Sequence, residues 1–370
     1  MKQGVRWMAL LMLLALPIAF GAEKPATLNI GDRAPDFKLK GVDGRTYSIK
    51  NFAKAKILVV VFTCNHCPTA QAYEERLKKL VGDYKGKGVA FVAISPNDPK
   101  ALRLDEMGYT DLGDSFEDMK IRAKHKQFNF PYLYDGDTQE VSRAYGPTAT
   151  PHVFIFDAER KLRYAGRIDD SERESAVKSQ DTQNALDALL AGKPVPVEKT
   201  RTFGCSIKWS DKRKSVEEAM AKLAAEDVAL EPISAEGAAA LRKNDTDKLR
   251  LINVWATTCG SCRTEFPELV TINRMYRHRD LELITISADF ADQKSAALAF
   301  LKKQQASNKN YIYDSTDRDK LAEALDKNWS GAAPFTLLIR PGGEIIYKCE
   351  QEIDPMELRR AIVKNLGARR

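Results

Sequence analysis

Two short cysteine pairs carry the chemistry that can be read directly from this chain: Cys64-Asn65-His66-Cys67 and Cys259-Gly260-Ser261-Cys262. Each follows an apolar, strand-like run and opens a segment with helical spacing. In that context C-x-x-C reads as a redox dithiol rather than as half of a zinc site. At a helix start, unpaired N–H groups and the helix dipole favour an anion, so the first cysteine of each pair is expected to form its thiolate readily. The second cysteine, three residues on, lies within reach to close a disulfide. The expected cycle starts when Cys64 or Cys259 attacks a partner disulfide as thiolate. Cys67 or Cys262 then displaces the partner and leaves an internal disulfide.

The residues between the cysteines tune this cycle. His66 places a positive charge beside Cys64, and stabilising the thiolate stabilises the reduced form, which makes a site the stronger oxidant. Gly260-Ser261 offers no such charge, so the first site is expected to be more oxidising than the second. Cys349 falls in a strand-like run and is expected to be a small buried thiol. Cys205 is expected to be structural, with an extra resolving role toward Cys64 as the alternative.

Soft ligands at Cys64, His66 and Cys67 suit copper or zinc, which keeps a metal-binding thiol module open as an alternative function. The four histidines, His66, His125, His152 and His278, form no close pair. The two C-x-x-C motifs lie in separate halves and do not resemble one four-cysteine zinc site. Pro68 and Arg263 follow the motifs, so neither is a haem attachment site. The expectation is therefore no metal and no bound organic cofactor.

The elements that must position these residues come in two similar sets. In the first half, Ile57 to Phe62 is a buried strand run ending just before Cys64, and Tyr73, Leu77, Leu80 and Val81 recur at helical spacing, so a helix is predicted from Pro68 to about Tyr84. Val89 to Ile94 is a second buried strand. Val153 to Phe156 and Leu162 to Ala165 flank a short turn as a hairpin would. The second half repeats the order with Leu249 to Trp255, a helix over Glu265 to Tyr276, a strand at Leu283 to Ser287, and a hairpin of Phe335 to Ile339 with Ile345 to Cys349. A proline precedes the hairpin strand in both halves, at Thr150-Pro151 and Ala333-Pro334. Trp255 is expected as core packing beside its dithiol. The shared order argues for two copies of one architecture.

The chain's 370 residues are enough for two domains of about 150 residues each. Apolar content of 44% and charged content of 29% are ordinary for a globular protein. The net charge of +7 is spread along the chain with no dense basic block, which argues against nucleic acid as a partner. Lys2 and Arg6 precede an apolar run from Trp7 to Phe20, with small residues after it, the pattern of a secretory signal. The expected organisation is a signal peptide over 1–22, a first domain over 28–210, a linker over 211–231 and a second domain over 232–370. An exported, periplasmic location follows.

Both halves resemble the thioredoxin superfamily. The second resembles TlpA/ResA-like exported thioredoxins, through Asn253-Val254-Trp255-Ala256-Thr257-Thr258-Cys259-Gly260-Ser261-Cys262 and the downstream Ala333-Pro334. The first resembles redoxin-type proteins of the AhpC/TSA group, through Phe62-Thr63-Cys64-Asn65-His66-Cys67-Pro68, Pro96-Asn97-Asp98, Pro131 to Asp135, Thr150-Pro151, and Gly204-Cys205-Ser206-Ile207-Lys208-Trp209. The resemblance implies an α/β fold class with two tandem thioredoxin-like folds, each a central mixed sheet flanked by helices. It also implies that Pro151 and Pro334 are cis and present a backbone edge that grips an extended substrate. The activity implied is thiol–disulfide oxidoreductase, with protein disulfides or dithiols as substrates and a membrane thiol relay as reductant.

The chain departs from the family in three places. Thr258 stands where thioredoxins usually have Trp. Leu58 and Asn253 stand where thioredoxin keeps a buried acid, so Glu265 is a candidate proton acceptor in the second half. No Pro-x-x-x-Thr-x-x-Cys surrounds Cys64, so a peroxiredoxin-like peroxidase through Cys64 is only an alternative.

Overall fold

The computed structural model describes residues 25–367, and the expected signal peptide lies outside the described residues. The first half contains β1 (Lys38–Gly41), β2 (Thr46–Ser48), β3 (Ile57–Phe62), β4 (Val89–Ser95), β5 (Tyr132–Tyr134), β6 (His152–Phe156) and β7 (Leu162–Gly166), with helices α1 (Pro68–Ala72), α2 (Glu74–Asp83), α3 (Phe116–Lys126), α4 (Glu140–Tyr145) and α5 (Asp181–Leu190). Its sheet runs in the order β2-β1-β5-β4-β3-β6-β7. All six side chains of β3 are buried. A strand covered on both faces needs no polar alternation, which is why Ile57 to Phe62 reads as a continuous apolar run. β3 pairs parallel with β4 and antiparallel with β6.

The expected connector carries a helix of its own, α6 (Arg213–Ala224). Its last residue, Glu231, opens β8 (Glu231–Ile233). The second half continues with α7 (Ala235–Lys243), β9 (Leu249–Trp255), α8 (Gly260–Tyr276), β10 (Leu281–Ser287), α9 (Lys294–Gln304), β11 (Lys309–Tyr313), α10 (Arg318–Leu325), β12 (Phe335–Ile339), β13 (Ile345–Cys349) and α11 (Pro355–Leu366). The strand order is β13-β12-β9-β10-β11-β8. Five strands of each sheet follow the same path from one edge inward, β7-β6-β3-β4-β5 in the first and β13-β12-β9-β10-β11 in the second, and each half is a thioredoxin-like α/β fold.

The two halves share buried surface. Leu102 and Met107, from the loop after β4, are buried in the same apolar cluster as Leu251, Trp255, Phe266 and Tyr276 of the second half. The Tyr276 hydroxyl donates to the Thr110 carbonyl at 2.8 Å, and Arg279 donates to the Gly108 carbonyl at 2.6 Å. Arg360 meets Asp111 at 3.1 Å. Among the described residues, no helix is long and apolar enough to cross a membrane.

Because Met107 fills space in the second half's core, Met107→Ala is expected to cost about 2 kcal/mol or more. Denaturant unfolding followed by a probe in the second half, such as Trp255 fluorescence, checks this.

Candidate functional site

The cis prolines set the frame. Thr150-Pro151 and Ala333-Pro334 are both cis. His152, the residue after the first, pairs with Phe62 of β3, and Phe335, the residue after the second, pairs with Val254 of β9. Phe62 and Val254 are therefore equivalent positions. Counting forward from them, Cys67 stands where Cys259 stands, and Ala70 stands where Cys262 stands.

Local structure agrees with that register. Cys67 caps α1, and its sulfur accepts from the Ala70 N–H at 3.5 Å. Cys259 caps α8, and its sulfur lies 3.2 Å from the Cys262 N–H. The Cys67 sulfur is 3.3 Å from the carbonyl of Thr150, and the Cys259 sulfur is 3.6 Å from the carbonyl of Ala333. The expectation that Cys64 occupies the helix-start position is thus corrected. Pro68 is the first helical residue, so the cap falls to the residue before it, Cys67. Leu58 is corrected with it: Val61 faces Val153, as Asn253 faces Thr336, so Val61 is the counterpart of Asn253.

Electrostatics separates the two thiols of the first pair. Burial alone would push the Cys67 thiol up. The Cys205 and Cys64 side chains, the Ala70 N–H and the His66 charge more than offset it and hold Cys67 well below the usual thiol range. Burial pushes the Cys64 thiol up, with Cys67 and the Asp114 charge adding to it and the Thr150 hydroxyl opposing. The Thr150 hydroxyl lies 3.1 Å from the Cys64 sulfur.

His66 is buried, and its Nδ1 lies 2.5 Å from Asp114 and 3.5 Å from the Cys64 sulfur. Burial opposes its charge, but Asp114 prevails and raises it above its ordinary 6.5. Asp114 was invisible in the sequence, lying in a polar stretch without periodicity. It accepts from the Asn65 N–H at 2.8 Å, the His66 N–H at 3.0 Å and the Asn97 amide at 2.7 Å. Burial opposes its ionisation, yet His66 and these donors hold it below its ordinary 3.8. Cys64, His66 and Asp114 bring potential metal-ligating atoms within 4.8 Å of one another, but the His66 Nδ1 is already bound to Asp114.

In the second site, Cys259 and Cys262 form a disulfide, with Cys259 partly exposed and Cys262 buried. Ser261 lies 3.5 Å from the Cys259 sulfur. Glu265 is buried and accepts from Asn253 at 2.8 Å and the Ile353 N–H at 2.9 Å. Burial dominates and raises its carboxyl above the ordinary 4.5. Trp255 is fully buried against Phe266 and Phe300. Cys349 is corrected from a buried thiol to a partly exposed one, facing the Gln351 carbonyl. Cys205 packs beside the first pair, and its N–H donates to the Cys67 sulfur at 3.3 Å.

Comparison with known proteins places this geometry. The AhpC/TSA family matches residues 30–165, and Redoxin matches residues 224–364. The chain carries two tandem thioredoxin-like redoxin domains. The thiol–disulfide oxidoreductase ResA of Halalkalibacterium halodurans is 26% identical over 102 residues, 25% of this chain and 57% of that protein. The chain thus spans about half the length of that curated relative. A putative peroxiredoxin of Mycobacterium tuberculosis is 24% identical over 38% of this chain and 85% of that protein. The crystal structure of an uncharacterised conserved protein from Geobacillus kaustophilus is 40% identical, over 49% of this chain and 93% of that one, with a TM-score of 0.44.

The redoxin pair Asp114–His66 makes two predictions. Asp114→Ala leaves His66 buried without its counter-ion and is expected to destabilise the chain by about 3–5 kcal/mol, read by chemical denaturation. The pair's contribution also depends on pH. Asp114 titrates lower when folded, so its part is lost as pH falls below 3.8. His66 titrates higher when folded, so its part is full below 6.5 and is lost as pH rises through the raised value. The stability difference between wild type and His66→Gln should be largest between these limits and shrink on either side.

Proposed function

We propose that this chain is an exported thiol–disulfide oxidoreductase with two exchange sites. The observation that carries the reading is the shared placement of one sulfur in each domain. Cys67 and Cys259 each cap a helix and each lie against the carbonyl preceding a cis proline. A sulfur there is held by N–H groups as an anion and stands beside the edge where an extended chain can pair.

In the second site, Cys259 is the attacking thiolate and Cys262 the resolving thiol. When reduced, Cys259 attacks one sulfur of a partner disulfide and the other leaves as thiolate. Cys262 then attacks Cys259, and the partner's second sulfur departs. Glu265, whose carboxyl burial raises above its ordinary value, is the candidate acceptor for the Cys262 proton. In the first site, Cys67 is the attacking sulfur and Cys64, kept as a thiol, is its second member. Protein disulfides are the substrates, the direction is reduction, and a membrane thiol relay returns electrons. The charged, then apolar N-terminus supports export to the periplasm. The domain limits proposed with this reading are 28–210 and 232–370.

A glutathione redox series, with each pair followed by mass spectrometry, tests the function. Two transitions are expected, with the first site the more oxidising; if neither pair titrates, the exchange reading fails. Because the His66 charge favours the Cys67 thiolate, His66→Ser should lower the first site's potential by about 30 mV or more, a tenfold change in its equilibrium. In a Cys259→Ser, Cys262→Ser background, ultraviolet thiolate absorbance of the reduced chain should show the low-pH transition in Cys64→Ala and lose it in Cys67→Ala. Loss in Cys64→Ala instead would return the thiolate to Cys64.

A further inference from the structure

The first site is closed by a strap that belongs to the same chain. Upstream, Lys199 pairs with Ala165 of β7, with Ala165 donating to the Glu198 carbonyl at 2.9 Å and Thr200 donating to the Ala165 carbonyl at 3.1 Å. Downstream, Ile207 and Lys208 are buried. Lys208 donates through its N–H to Asn97 at 2.9 Å, and its ammonium meets Glu106 at 2.6 Å. Between these anchors the chain crosses the face of the site, with the Phe203 ring 6.2 Å from that of Tyr73.

At the centre of the strap, Cys205 pairs antiparallel with Thr150, and the Thr150 N–H donates to the Cys205 carbonyl at 3.0 Å. The Cys205 N–H donates in turn to the Cys67 sulfur at 3.3 Å. Cys205 packs with Cys64, Cys67 and Ala70. Gly204 makes this approach possible. Its φ is +136°, and a Cβ there would sit 2.0 Å from the Thr150 carbonyl oxygen, a position no other residue tolerates. In the second site no such bridge forms at Ala333 among the described residues.

Thr150, the residue before the cis proline, offers the backbone edge on which an extended partner chain would lie. Here that edge is taken by the chain's own segment, and a cysteine stands at the paired position. Exposure points the same way: Cys67 is fully buried and Cys64 is 4% exposed, while Cys205 is partly exposed. A disulfide arriving from solvent meets Cys205 first.

We propose that the strap is a tethered substrate, and that Cys205 is the thiol through which the first site exchanges with the outside, cycling through a Cys67–Cys205 disulfide. The inference rests on the exchange reading above. In the reducing direction, the Cys205 thiolate attacks an external disulfide R–S–S–R′. The S–S bond breaks, and R′S⁻ leaves and takes the proton that Cys205 lost. The Cys67 thiolate attacks the Cys205 sulfur, the Cys205–S–R bond breaks, and RS⁻ leaves and takes a proton from solvent. The external disulfide has gained two electrons, and Cys67 and Cys205 are joined. Cys64 then loses its proton and attacks Cys67, so Cys205 departs as a thiolate and takes that proton. The oxidation is now stored as Cys64–Cys67, and Cys205 is again a thiol.

The test uses the full chain carrying Cys259→Ser and Cys262→Ser, so that only the first site reports. The reduced protein is treated with oxidised glutathione, and its disulfides are mapped by peptide mass spectrometry. A cross-link between the Cys67 and Cys205 peptides is expected, retained in Cys64→Ala and lost in Cys67→Ala. Cys205→Ser should oxidise at least about tenfold more slowly, with the Cys67 thiolate absorbance still present. Finding only Cys64–Cys67, together with an unchanged rate in Cys205→Ser, overturns the tethered-substrate proposal and leaves the exchange reading standing. If the first-site thiols stay reduced throughout the series, the exchange reading itself fails at that site. Gly204→Ala supplies an independent check. It should lift the strap from Thr150 and raise the alkylation rate of Cys67, and protection equal to wild type would overturn the docking.

Discussion

The first site depends on one buried carboxylate. Asp114 gathers the Asn65 and His66 N–H groups, the His66 ring and the Asn97 amide onto two oxygens. A buried charge without partners would be strongly unfavourable, and a fully bonded one fixes everything around it. The Cys64-to-Cys67 loop has no regular secondary structure of its own, so its path is set by that carboxylate. Asn97 in turn accepts from the N–H of Lys208, which anchors the strap. The same loop that carries Asp114 is held by Tyr276, Arg279 and Arg360 of the second domain. Dithiol loop, strap and domain contact therefore form one connected unit.

Within a shared fold, the two domains use their cysteines differently. Both place one sulfur at a helix cap and against the carbonyl before a cis proline. The second domain puts its partner cysteine one turn inside the helix, at Cys262. The first puts Ala70 there and draws its second thiol from upstream, at Cys64, and a third from the strap, at Cys205. A pair on one helix turn can close with little rearrangement. A pair split between loop and cap depends on the loop, and the loop depends on Asp114. The same four-residue spacing thus describes two different sites.

Much of the fold was legible. The run Ile57 to Phe62, the hairpin Phe335–Ile339 with Ile345–Cys349, and the prolines 151 and 334 all stand where pattern placed them. Buried strands announce themselves because both of their faces must be apolar, and hairpins because their turns need particular residues. The site was only partly legible. C-x-x-C marks a dithiol but not which sulfur caps the helix, since a shift of three residues preserves the spacing. Asp114 lies in a stretch with neither periodicity nor motif, and Pro96-Asn97-Asp98 gave no sign of which groups Asn97 would join. Cys205 stood out in Gly204-Cys205-Ser206-Ile207, but nothing local indicated which thiol it would meet.

The amino-acid sequence by itself determined the two α/β units, the order of their elements along the chain and the presence of a thiol pair in each, because these follow from apolar periodicity and from short-range residue types. Only the tertiary structure decided which thiol is held as an anion, what charge His66 answers to, and what covers the first site. Those outcomes depend on contacts between residues far apart in the chain, Asp114 with His66, Thr150 with Cys205, and Cys205 with Cys67. Such contacts arise from how the sheet and its loops fold over one another, and no local spacing encodes them.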